Sequence, residues 1–119
     1  MKHGKAWGTT EPLTQTPLCE LHRIVVQPGG YCSVHRHQGR ANGFYVVRGV
    51  LEVRVWSAGG AVSVKRILGA GGYFSVEPGH LHQFFSAPGA EVLELYYPVL
   101  RGEDIERISE GGIQQPENL

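Results

Sequence analysis

No charge of either sign dominates this sequence. Eleven lysines and arginines offset eleven aspartates and glutamates over 119 residues, and the pI lies near 7. A general nucleic-acid binder draws its affinity from a cationic surface, so no nucleic-acid partner is expected. Long hydrophobic runs are missing too. The stretch Phe44-Tyr45-Val46-Val47 stops at Arg48, far short of the ~18 apolar residues that a membrane helix needs. The opening MKHGKAWGTTEP lacks the apolar stretch of a signal peptide, which predicts no cleaved leader and no membrane partner. Cysteine is scarce. Cys19 and Cys32 lack CxxC spacing and read as two reduced thiols, in line with an expected cytoplasmic location. Helix-favouring Ala/Glu/Lys/Leu patterns, charge blocks and solenoid repeats are also absent.

Glycine and histidine are what the chain has in quantity. There are 17 glycines in 119 residues, against a typical share of ~7%. Short strand-like runs alternate with this punctuation, the pattern of a β-sandwich or barrel. Strands are predicted over 18–27, 31–37, 44–48, 50–56, 61–68, 73–76, 80–86 and 91–97. One helical turn or two is expected over Glu103 to Ile108. The expectation is an all-β single domain over 1–119, with a barrel core over about 5–98 and a tail over 99–119.

Four of the six histidines form two His-x-His pairs, His35-Arg36-His37 and His80-Leu81-His82. Side chains at i and i+2 of a strand share a face. His35 and His37 can therefore converge on one point inside a barrel, as a two-tooth imidazole chelate. Neutral imidazole is a ligand favoured by Zn, Fe, Ni and Cu.

The surrounding spacing resembles the two motifs of the cupin superfamily. Gly29, five residues, His35-x-His37, four residues, Asn42, six residues and Gly49 are similar to the first motif. Gly71, five residues, Glu77-Pro78-Gly79, two residues, His82, three residues and Ser86 are similar to the second. The resemblance implies a double-stranded β-helix, or jelly-roll, barrel holding a divalent metal ion. It implies His35, His37 and His82 as ligands, with the ion's identity open among Zn, Fe, Mn and Ni. Cupins usually carry a ligand Glu where this chain has Asn42, whose neutral amide oxygen is a weaker donor.

A narrower resemblance is to the type II mannose-6-phosphate isomerase domain. It rests on Lys5-Ala6-Trp7-Gly8, on His22-Arg23-Ile24-Val25-Val26-Gln27-Pro28-Gly29, on Ser33 through Gly49, and on Gly102-Glu103-Asp104-Ile105-Glu106-Arg107. This implies a sugar or sugar-phosphate ligand and aldose–ketose isomerisation, in which a base moves a proton between C1 and C2. His80 and Glu94 are the candidate bases. Arg40 and Arg23 are candidates for binding phosphate, a group guanidinium grips in a bidentate manner. Two other readings stay open: a metal or small-ligand binding cupin without turnover, and an Fe(II) dioxygenase. A homodimer is expected, because pairing covers exposed sheet edges.

Overall fold

The computed structural model describes residues 2–57, 60–98 and 109–114. The strands are β1 (His3–Lys5), β2 (Gly8–Gln15), β3 (Glu20–Val26), β4 (Gly30–Tyr31) and β5 (Ala41–Gly49). They continue with β6 (Leu51–Trp56), β7 (Val62–Leu68), β8 (Tyr73–Val76), β9 (His82–Ser86) and β10 (Ala90–Tyr97). No helix occurs among the described residues, and the expected helical turn at Glu103 to Ile108 lies outside them.

Two antiparallel sheets form. One has six strands in the order β1-β2-β3-β10-β5-β8, the other four in the order β4-β9-β6-β7. Alternation decides which residues lie between them. In β6, Leu51, Val53 and Val55 are buried while Glu52, Arg54 and Trp56 are only partly covered. Ile24 and Val26, Phe44 and Val46, Val92 and Phe84 fill the rest of the core. Each fully buried side chain of this kind contributes ~1.5–3 kcal/mol. This is the jelly-roll sandwich expected from the motifs.

Two regions differ from the sequence expectation. The polar segment before Leu18 is structured: β1 pairs with β2, and β2 pairs with β3. Pro12 and alternating Thr and Glu hide the strand in sequence. The sheet admits Pro12 because the register shifts between Pro12 and Thr14, a bulge where the ladder already lacks a partner. Residues 31–37, expected as one strand, are instead β4 followed by irregular chain. A single bridge, His35 to His82, keeps the first His-x-His pair aligned with β9.

The turn glycines Gly29, Gly49, Gly71 and Gly79 all take positive φ. At Gly49 (φ 85°) the requirement is double, since a Cβ there would also collide with the Gly89 carbonyl oxygen.

Candidate metal centre and its pocket

The inward positions are apolar along most of the barrel and polar at one mouth. His22 lies there near the start of β3, Asn42 near the start of β5 and His82 at the start of β9, with Glu94 and Tyr96 toward the end of β10. The register aligns them, with Glu94 opposite His22 and Phe44, and Tyr96 opposite Glu20 and Asn42.

His35, His37 and His82 converge at this mouth, with one ligand atom from each inside a 4.8 Å group. Backbone pairing sets two of them. His35 N–H donates to the His82 carbonyl at 3.0 Å, and His82 N–H returns the bond at 2.8 Å. The Gly79 N–H holds the His37 carbonyl at 2.8 Å, which ties the second-motif turn to the first motif.

The ring nitrogens are also assigned by their partners. His35 Nδ1 lies 2.8 Å from the Ser33 carbonyl, and His82 Nδ1 lies 3.0 Å from the His80 carbonyl. A carbonyl only accepts, so each Nδ1 carries the proton and each Nε2 presents a lone pair. The Asn42 amide nitrogen donates to Glu94 Oε2 at 3.4 Å, which leaves its Oδ1 facing His82 Nε2 at 3.1 Å. Two acceptors then confront each other, and a cation between them resolves the conflict. Two ligand atoms ~2.1 Å from a cation and at right angles to each other are roughly 3 Å apart. His37 Nε2 is buried without a hydrogen-bond partner among the described residues. The donor set therefore fits a divalent ion.

Electrostatics agree with that fit. Burial, reinforced by Arg40 and the two neighbouring histidines, pushes His37 down to about 4. Burial also lowers His82, against the opposing pull of the His80 carbonyl. Both shifts favour neutral imidazole, the form that binds metal. Glu94 is only 8% exposed. Burial pushes its carboxyl upward, although hydrogen bonds from Tyr96 and Asn42 and the nearby His22 and His35 pull the other way.

A cavity of about 650 Å³ opens beside the histidines, walled by Trp7, Cys32, His35, Phe84, Glu94 and Tyr96, with Lys5, His22 and Arg40 on its polar side. Such a volume suits a small organic ligand. Trp7 packs edge-on against Phe84 at 5.0 Å and closes one wall. Burial pushes the Cys32 thiol up to about 11, so it enters the wall as a neutral group.

Of the residues singled out in sequence, the fold gathers His35, His37, His82, Asn42, Glu94 and Arg40 at this mouth. Arg40 Nη1 lies 3.2 Å from Glu20 Oε2, and its guanidinium sits 4.0 Å above the Tyr96 ring. His80 does not join the cluster: it lies in the turn before β9 and offers His82 its carbonyl. Arg23 is not brought there either. It falls between inward His22 and Ile24, so strand parity turns it to the outer face, where it meets Glu11 at 3.7 Å and Glu91 at 3.5 Å. Tyr96 is a further neighbour, which lies outside both histidine motifs. It touches Arg40, His22 and His37, and hydrogen-bonds Glu94. Its alternation with Val92 and Glu94 was the signal available.

A family model for the cupin domain matches residues 22–99, which contain every histidine of the cluster. The chain belongs to the cupin family. Solved cupin folds align over most of it. KdgF from a Halomonas species gives a TM-score of 0.71 at 20% identity, covering 84% of this chain and 87% of that one. An RmlC-like cupin from Shewanella frigidimarina gives 0.71 at 23%, covering 83% and 84%. Oxalate decarboxylase from Bacillus subtilis, which has Mn(II) centres, gives 0.74 at 19% identity, covering 82% of this cupin and 27% of that chain. Among curated proteins, mannose-1-phosphate guanylyltransferase from Escherichia coli is 35% identical over 51 residues. That match spans 43% of this cupin and 11% of the longer enzyme.

Proposed function

We propose that this cupin is a metal-dependent enzyme that moves a proton beside the carbonyl of a sugar phosphate, the chemistry of aldose–ketose isomerisation. The observation that carries the reading is Glu94, a buried acid that lines the same cavity as His35, one of the three converging imidazoles. His35, His37 and His82, with the Asn42 amide oxygen, would hold a divalent ion, with Zn, Fe, Mn and Ni as the candidates. Such an ion supplies Lewis acidity toward a carbonyl or hydroxyl oxygen of the ligand.

Glu94 takes the proton from one carbon and returns it to its neighbour. Burial raises its affinity for a proton, which suits a base that must also act as the acid. The Asn42 amide and the Tyr96 hydroxyl hold the carboxyl in place. Arg40, over the Tyr96 ring, presents its fork to the phosphate. Glu94 is favoured over His80 as the base because His80 lies outside the cavity wall. The partial likeness to an enzyme of mannose 1-phosphate supports a sugar phosphate as ligand.

The test uses protein loaded in turn with Zn, Fe, Mn or Ni, and mannose 6-phosphate or fructose 6-phosphate in D2O. Proton NMR should record deuterium entering C2, and Glu94→Gln should abolish it at unchanged metal content. The absence of both exchange and aldose–ketose conversion with every one of the ions rejects isomerisation. Asn42 favours a second reading, a metal-dependent sugar-binding module. It predicts a sugar-dependent rise in Tm without exchange. A second copy of the chain is the proposed protein partner, joined at an edge strand such as β1 or β8. Light scattering at twice the 13.1 kDa chain mass supports that pairing, and the chain mass alone rejects it.

A further inference from the structure

Glu20 stands where nothing in the proposed chemistry needs an acid. It lies at the start of β3, at the rim of the cavity, with its side chain 32% exposed. One oxygen, Oε2, approaches two cationic or donor groups at once: Arg40 Nη1 at 3.2 Å and His22 Nε2 at 3.5 Å. The second contact is not a hydrogen bond, and His22 Nε2 is buried without a hydrogen-bond partner among the described residues. His22 is one of the residues that line the cavity. The Arg40 guanidinium carbon lies over the Tyr96 ring, 4.0 Å from its centroid, and with the Glu20 contact this positions its donors at the rim before a ligand arrives. Lys5 lines the same cavity from β1.

We infer that His22 and Arg40 form an oxyanion subsite in which the Glu20 carboxylate is an internal place-holder, displaced when the phosphate of a substrate enters. This rests on the sugar-phosphate reading above for the ligand's identity, and the binding test below does not require turnover. The charge count favours exchange. With Glu20 in place, one carboxylate offsets Arg40. When Glu20 rotates into solvent, Arg40 and Lys5 face a phosphomonoester dianion without a competing carboxylate. A tetrahedral oxyanion also gives His22 Nε2 the partner that a planar carboxylate 3.5 Å away fails to supply. The subsite is thus closed to neutral sugars by default and opened by a ligand that outcompetes a carboxylate.

The experiment titrates the metal-loaded protein with inorganic phosphate, and separately with glycerol phosphate, by calorimetry. Glu20→Gln should tighten both by about tenfold, because the competing charge is gone while the side chain's size is kept. Glu11→Gln is the control for net charge. Its carboxylate pairs with Arg23 on the outer face, and its removal should leave both affinities unchanged. Arg40→Ala should lose binding, and His22→Phe, which keeps a ring without its nitrogens, should weaken it several-fold. Equal effects of Glu20→Gln and Glu11→Gln, or weaker binding in Glu20→Gln, overturn the proposal. Tightening for inorganic phosphate but not for glycerol phosphate also overturns it, since the subsite would then admit only the free ion. Isomerisation is read in a separate assay, so its absence beside a tightened Glu20→Gln rejects the reaction and leaves the subsite standing.

Discussion

His37 is wedged among two imidazoles, the Arg40 guanidinium and the Tyr96 ring, with ring centroids 5.1 Å from His35 and 5.6 Å from His82. Its pKa falls from 6.5 to about 4 on folding. Between those values the unfolded chain takes up a proton that the folded chain refuses. The folded state therefore keeps this contribution above pH 6.5 and loses it as the pH falls toward 4. Glu94 acts with the opposite sign, because its folded pKa is raised: its contribution is present at low pH and is lost as the pH climbs through that value. Metal-free wild type should accordingly lose Tm more steeply on acidification than His37→Gln. Parallel profiles would refute the assignment. Asn42→Glu sets a second test, placing a carboxylate beside His82 and within reach of Glu94. It should tighten metal binding by about tenfold or more and lower the Tm of the metal-free protein, through two confronted acids. The convergence of His35 and His37 was legible from their local spacing although they lie on irregular chain and not on a strand, whereas the second pair divides, His82 joining the cluster and His80 not. Tyr96 and Glu20 were not legible. Their importance comes from partners 20 to 74 positions away, Arg40 for both and His22 for Tyr96.

Among the elements, the turns were the most readable part. Gly29, Gly49, Gly71 and Gly79 mark strand ends in sequence, and the backbone at each needs positive φ. Their tolerance to substitution differs, however, because only the fold reveals what lies opposite. Gly49→Ala combines the φ strain with a collision against the Gly89 carbonyl and should cost about 2–3 kcal/mol or more. Gly71→Ala has φ 84° with open space around it, and should cost only ~1 kcal/mol. Urea melts of the two variants check the order. The strands with clean alternation, β6 and β9, fall where the sequence puts them within a residue or two. β1 and β2 were invisible because their stability comes from pairing onto β3, not from an apolar stripe of their own. The loop 32–37 erred in the other direction. Its Cys-Ser-Val-His-Arg-His sequence alternates like a strand, yet it meets β9 through the His35 bridge and Cys32 and forms no ladder.

At the scale of the whole molecule, the family match and the all-β architecture were both accessible from motif spacing, whereas the sheet order was not. Spacing identifies the turns but says nothing of which strands become neighbours. The order matters for the site, because His82 belongs to the four-stranded sheet and Asn42 to the six-stranded one. Metal loading should therefore raise Tm by an amount that grows with free ion, equivalent to ~2.7 kcal/mol at a hundredfold excess over Kd. A chelator should reverse the rise, and His35→Ala should remove it. The 3.1 Å His82–Asn42 contact, which crosses from the four-stranded sheet to the six-stranded one, has a mechanical reading as well. An ion held beside it would act as a rivet between the sheets. Pulling β5 away from β9 would then break open the sandwich and eject the ion in the same event, so the force at which the barrel tears should report directly on which metal it carries.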